Sequence, residues 1–205
     1  MHTDIPAGPL PEIQLQPVSY TVGHWVLMVP RGHYELSAPY QRGSVWGLAQ
    51  KRALVKSLYM HLPIGSVVVS KLRGGAAYRV VDGKQRIEAI VAFSQDEFSV
   101  PASWFRPGDL KAEAATKAEV TWSDLADGAR TSFEVTVHFP ALEFSGQTEI
   151  WFDKDGKRHT RQRSDEEVLA AEAEIFDLIN FAGTPQTDED RERARQVAAH
   201  PEEHL

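Results

Sequence analysis

The chain has no cysteine in its 205 residues, which excludes disulfides, thiolate metal sites and cysteine nucleophiles. It has no apolar run approaching the length needed to span a bilayer. Its start, with Asp4, Pro6, Pro9 and Pro11, lacks the basic opening and apolar centre of a signal peptide. No membrane contact and a cytoplasmic setting are therefore expected. A Walker-type glycine loop followed by Lys-Ser/Thr is missing, so any triphosphate chemistry has to use another architecture. The eight histidines are scattered, without the paired spacing of a metal site. Asp153, Asp155 and Gly156 hint at a calcium loop, but Arg158 stands where glycine is needed and Ser164 where glutamate is needed. A hairpin turn accounts for them.

What is present is ordinary for a globular protein, with 42% hydrophobic and 25% charged residues. The net charge of -7 hides an asymmetry. Residues 31–90 hold ten Lys or Arg and three Asp or Glu, a local excess of +7, while the remainder holds twelve basic and twenty-six acidic residues. An acidic bulk argues against broad, sequence-independent nucleic-acid binding, which depends on neutralising many phosphates. A small basic cleft for a nucleotide or a short strand stays open.

Along the chain, residues 1–18 are rich in Pro and polar groups and read as an extended arm, followed by one domain over 19–205 with C-terminal helices from about 165. Apolar spacing predicts a short helix over 22–29 ended by Pro30, a strand over 33–37, and an amphipathic helix over 48–62 stopped by Pro63. A hairpin of strands over 66–72 and 77–81 turns at Gly74-Gly75. A strand is expected near Val100 and one or two helical turns within 111–130. Phe133, Val135, Val137 and Phe139 alternate with polar neighbours and predict a half-buried strand. A second hairpin surrounds Asp155-Gly156. A helix over 165–182 carries Val168, Ala171, Ile175, Leu178, Ile179 and Ala182 on one stripe, and a charged helix covers 187–199. The fold class is α+β.

The most informative stretch is Val80-Val81-Asp82-Gly83-Lys84-Gln85-Arg86-Ile87, which joins an apolar strand to an apolar helix. Asp82 is positioned to cap the first turn, and Gly83 lets a backbone or ligand come close. A helix start offers unpaired N–H groups and partial positive charge, a natural seat for an anion, and Lys84 and Arg86 add full charge. Arg86 suits bidentate phosphate contact; the alternative is an ion pair with Asp82 or Glu88. Gln85 orients a water, reads a base edge or satisfies buried backbone groups. Gln41 and Arg42, in a loop after Pro39, are expected to form a second wall of the cleft. Trp46 is the better candidate for a core anchor than for a stacking platform. Lys51, Arg52 and Lys56 lie at helical spacing, as a phosphate-facing strip or as a solvated face.

Pro39-Tyr40-Gln41-Arg42 with Val45-Trp46, then a helix ending in Leu62-Pro63-Ile64, then Val81-Asp82-Gly83-Lys84-Gln85-Arg86 occur in that order. Together they resemble the N-terminal domain of GmrSD-type type IV restriction enzymes, a branch of the ParB/sulfiredoxin-like nuclease fold. Phe176 and Ile179-Asn180-Phe181-Ala182-Gly183 add a looser likeness. The resemblance implies a small mixed sheet with flanking helices and a helical C-terminal part. It implies a domain that binds nucleoside triphosphates and in some members hydrolyses them, often in anti-phage defence. Asp82, Gly83, Gln85 and Arg86 match the family's Asp-Gly-Gln-Gln-Arg motif and would carry that role, with Lys84 in place of the commoner Gln. Glu88 and Ala89 replace small hydroxyl residues. An HNH-type nuclease domain is not found in these residues, so DNA cleavage by this chain alone is not expected.

The expected site is then as follows. Backbone N–H groups at 83–86, Lys84 and Arg86 hold phosphates, Asp82 binds Mg2+ or polarises a water, and the Gln41-Arg42 loop closes over them. Positioning and positive charge are what a phosphoryl transition state needs. Two rival readings stand beside this one. One is a DNA-binding or nicking ParB-like nuclease; the other is an inactive adapter that binds a partner protein. A homodimer is compatible with each.

Overall fold

The computed structural model of the chain describes residues 13–41, 43, 45–74, 77–181 and 188–204. In chain order these form strand β1 (Leu15–Thr21), helix α1 (Val22–Met28), β2 (Tyr34–Glu35), α2 (Leu48–Tyr59), β3 (Val67–Lys71), β4 (Tyr78–Asp82) and α3 (Lys84–Ser94). There follow β5 (Val100–Pro101), β6 (Glu119–Val120), α4 (Asp127–Thr136), β7 (His138–Phe144), the hairpin β8 (Thr148–Phe152) and β9 (Arg158–Gln162), then α5 (Asp165–Phe181) and α6 (Asp188–Ala199). The α+β class expected from the sequence is what the molecule has. Among the described residues, no helix is long and apolar enough to cross a membrane.

Five strands form one mixed sheet in the order β1-β7-β3-β4-β2. β3 runs antiparallel to β4 and parallel to β7. Helices cover both faces of the sheet, and this explains why β3 reads as an unbroken apolar run, Val67-Val68-Val69, with no polar alternation. Val67, Val69, Val80, Phe139 and Ala141 pack on one face against Trp25, Leu54, Leu58, Ile87, Ile90 and Phe93. Val68, Val81 and Phe144 pack on the other against Tyr40, Leu169, Ala173, Ile175 and Val197. Each fully buried aliphatic or aromatic side chain contributes about 1.5–3 kcal/mol.

Helix ends follow local chemistry. Thr21 caps α1 by accepting from the His24 N–H at 3.2 Å. α2 stops at Tyr59, before Leu62, where His61 turns the chain with φ 53°.

Three expectations change. The alternating residues Phe133 to Phe139 are not one strand: Phe133 lies in α4, and β7 begins at His138. Phe133 and Val137 stand four residues apart and both are buried, whereas Val135 is 60% exposed. A spacing of four with one apolar residue left in solvent satisfies a helix face as well as a period of two does. Residues 1–12 of the expected arm lie outside the described residues, and the arm's last part, from Leu15, is a sheet strand paired with β7. On α5 the buried stripe is Val168, Leu169, Glu172, Ala173 and Ile175, and Leu178 faces outward. Ala182 and Gly183 lie outside the described residues.

Gly83 separates β4 from α3 and is constrained twice. Its φ is +91°, and a Cβ there would drive into the Val67 side chain and stand 3.1 Å from the Val67 Cα. Gly156 also has a positive φ, +76°, but a Cβ there would meet nothing within 4 Å. Gly83→Ala is expected to cost about 3 kcal/mol, a left-handed penalty of about 1–2 kcal/mol plus overpacking. Gly156→Ala is expected to cost about 1 kcal/mol. Urea unfolding of both variants checks this; equal losses would contradict the close approach of Val67.

Candidate functional site

The β4–α3 turn is built by the residues its sequence singles out. Asp82 ends the strand, Gly83 takes the left-handed conformation, and the carbonyl of Gly83 accepts from the backbone N–H groups of Arg86 at 3.0 Å and Ile87 at 3.1 Å. The Arg86 N–H is thus committed inside the helix, and the backbone donors expected for a phosphate shrink to those before it. The Asp82 side chain does not cap the helix: Gly83 is the N-cap residue and no side chain bonds there. The left-handed Gly83 places Asp82 one step too early, and its carboxylate reaches up one turn to accept from Nη2 of Arg86 at 2.7 Å. The side chains of Arg86 and Asp82 remain 17% and 22% exposed, so the pair opens to solvent.

Behind it runs the Leu62-Pro63-Ile64-Gly65 segment. A Cβ at Gly65 would stand 2.5 Å from Nη1 of Arg86, so the missing side chain is what seats the guanidinium. Lys84 lies 3.8 Å from Glu88, one turn along α3.

Two glutamines join this turn to the loop after Pro39. In β4, Val80 pairs with Val69 and Asp82 with Val68, leaving Val81 as the extra residue of a β-bulge. The carbonyls of Val80 and Val81 both accept from Nε2 of Gln41, at 2.8 and 2.7 Å. In return Oε1 of Gln85 accepts from the backbone N–H groups of Val45 and Trp46, both at 3.0 Å. The loop's side chain holds the strand's backbone, and the helix's side chain holds the loop's backbone. Oε1 of Gln41 is buried and has no hydrogen-bond partner among the described residues. Of its three expected roles, Gln85 is seen filling the backbone-satisfying one.

Under the loop, Tyr40 is buried in the second core and donates its hydroxyl to Oε2 of Glu172 at 3.4 Å. The same carboxylate oxygen accepts from Nη1 of Arg79 at 3.0 Å, and Nε of Arg79 also reaches Glu35 at 3.0 Å. Burial pushes the Glu172 carboxyl above its ordinary range, and Arg79 opposes that shift. Sequence reading missed Glu172. The available signal was a carboxylate at position 172, four residues after Val168 and three before Ile175 on an apolar helix face.

The remaining candidates disperse. Arg42 lies outside the described residues. Lys51 borders a cavity with Glu88, Val91 and Gln95 on the α3 side of α2. Arg52 is tied to the Ser99 carbonyl at 2.8 Å and to Glu119 at 2.8 Å, and Lys56 sits 5.4 Å over the Trp104 ring. Arg52 and Lys56 share one helix face and Lys51 another, so the three do not form a single strip. Trp46 packs partly buried against the first core, as an anchor. Among the described residues, one group could hold a cation by ligand distance, His200 with Glu202 and Glu203, all exposed. It does not include Asp82.

A family model for the GmrSD restriction endonuclease, N-terminal domain, matches residues 30–195 of the chain. No curated protein and no solved structure matches it.

Gln41→Leu and Gln85→Leu should each destabilise the protein by about 1–3 kcal/mol, since each strands two backbone groups. The double variant should deviate from additivity by at least about 0.5 kcal/mol if both bonds close one loop. Strict additivity in urea unfolding would contradict a shared clamp. Glu172 gives a pH test. Its folded pKa is raised above 4.5, so its stabilising contribution is complete below the unfolded pKa and is lost as pH rises through the folded value. Relative to wild type, Glu172→Gln should therefore gain stability as pH climbs from about 4 towards neutrality. A loss over that range would contradict the raised pKa.

Proposed function

Because the chain belongs to the GmrSD restriction endonuclease N-terminal domain family, we propose that it is a nucleoside triphosphate-binding domain of a restriction-type, DNA-associated defence system. The observation that carries this reading is the meeting of the two motifs. Gln41 bonds the carbonyls of Val80 and Val81, and Gln85 bonds the amides of Val45 and Trp46, so the loop that carries Arg42 in sequence lies against the Asp82–Arg86 turn. A cluster of donors beside a helix start is the chemistry that binds polyphosphate.

In this reading Lys84 and Arg86 supply the charge. The guanidinium has five N–H donors and the bond to Asp82 uses one, so the pair both orients Arg86 and leaves donors for phosphate oxygens. Mg2+ is the cofactor that fits the donor set. It commonly takes one or two carboxylates and completes its shell with water and substrate phosphates, and Asp82 offers one carboxylate with a second oxygen beyond its Arg86 bond. When bound, the ion would neutralise phosphate charge. Hydrolysis would transfer the terminal phosphoryl group to water, with Arg86 and Lys84 stabilising the charge that spreads over its oxygens. Gln85 would act by holding the loop.

Calorimetric titration of the wild-type chain with ATP and GTP, each with and without Mg2+, tests the reading. Arg86→Ala should weaken binding at least about tenfold, the loss of one charge-assisted contact of about 1.5–3 kcal/mol, and Asp82→Ala should remove the Mg2+ dependence. Absence of binding by the wild type, or equal affinity in wild type and Arg86→Ala, would reject it.

A further inference from the structure

The β8–β9 hairpin forms a two-stranded sheet of its own, separate from the five-stranded one. Its residues, 147–163, carry Lys154, Lys157, Arg158, Arg161 and Arg163 against Glu149, Asp153 and Asp155, a local excess of base in an acidic protein. Contacts at its root hold it in place. The Arg163 N–H donates to the Gln147 carbonyl at 2.8 Å, Nη2 of Arg73 donates to the Arg163 carbonyl at 2.9 Å, and Nε of Arg73 pairs with Asp165 at 2.8 Å.

At the tip, the acids are mostly spent on structure. Oδ1 of Asp153 accepts from the N–H groups of Asp155 at 3.0 Å and Lys157 at 2.9 Å, and its Oδ2 meets Nε2 of His159 at 2.8 Å. Glu149 is taken by Arg161 at 2.6 Å. Lys154, Lys157 and Arg158 are exposed, and among the described residues none of their side chains has an ion-pair or hydrogen-bond partner. Phe152, 36% exposed, lies opposite Arg158 in the ladder, and Trp151 stacks on His159 with ring centroids 5.5 Å apart.

We propose that this hairpin is a contact element for duplex DNA, with Lys154, Lys157 and Arg158 as its phosphate-binding cations. Shape and charge together select that occupant. A two-stranded ribbon fits the major groove, about 12 Å wide and about 8.5 Å deep, and strands of five residues span about 17 Å. The turn is preorganised by Asp153 and by Gly156 in the left-handed conformation, so little ordering entropy is lost on contact. A polyanion meets repulsion from the acidic bulk of the chain and attraction at this tip. The inference is independent of the nucleotide site, which lies on other elements.

The test is fluorescence anisotropy of a labelled short DNA duplex with the full chain, over about 50–200 mM salt. The wild type should bind with an affinity that falls steeply with salt. A triple variant, Lys154→Ala, Lys157→Ala and Arg158→Ala, should lose at least about tenfold in affinity, and its log-affinity against log-salt slope should shrink by about 3. A control with the same change in net charge elsewhere, Arg31→Ala, Arg106→Ala and Arg195→Ala, all exposed, should stay close to wild type. Matching thermal melts show that both variants fold, and calorimetry with ATP and GTP should give the hairpin variant and wild type the same result. No binding by the wild type at the lowest salt, an unchanged triple variant, or equal losses in both variants would overturn the proposal.

Discussion

The site depends on a reciprocal exchange between two side-chain amides and two stretches of backbone. Gln41 reaches from the loop to the carbonyls of the bulged strand, and Gln85 reaches from the helix to the amides of the loop. Each glutamine satisfies groups that regular secondary structure leaves over: Val81 is the extra residue of a bulge, and Val45 and Trp46 precede a helix. Buried backbone groups are costly to leave unpaired, so the loop and the turn hold each other. Any ligand function for the Asp82–Arg86 turn presupposes this closure.

Charge is arranged around the clamp in two depths. Near the surface, Asp82 and Arg86 pair across one helical turn and keep some solvent contact. Such a pair is inexpensive to rearrange, and its guanidinium has donors left for an anion. Deeper, Arg79 spans Glu35 and the buried Glu172, while Tyr40 brings its hydroxyl to the same carboxylate. Breaking a buried pair by removing one partner is strongly destabilising, so this inner network fixes where Tyr40, and therefore Gln41 beside it, can sit. It also links α5, on the far face of the sheet, to the loop at the mouth of the turn.

Much of this was legible in the sequence. The spacing that predicted α1 and α2 reflects helix faces buried on one side, and the two hairpins were announced by the turn residues Gly74-Gly75 and Asp155-Gly156. The two motifs were expected to lie side by side, and Gln41 and Gln85 join the segments that carry them. What was missed has physical causes. Phe133, Val135, Val137 and Phe139 fit two periods at once, and only tertiary packing chooses between them. Asp82 looked like a cap because a capping residue and an i,i+4 ion-pair partner sit at the same place in sequence; the left-handed Gly83 decides. Glu172 showed only as a carboxylate on an apolar stripe, and its role makes sense only when Arg79, nearly a hundred residues earlier, is known to face it. Lys51, Arg52 and Lys56 scatter because the partners that claim Arg52 and Lys56 come from segments distant in sequence.

In the proposed function the loop and the turn close around a polyphosphate. A crystal structure of the chain with a non-hydrolysable triphosphate analogue and Mg2+ tests it most directly. Phosphate oxygens are expected within hydrogen-bond distance of the Arg86 guanidinium, between the α3 start and the loop that Gln85 holds. Phosphates bound at another surface, with the Asp82–Arg86 pair untouched, would contradict it.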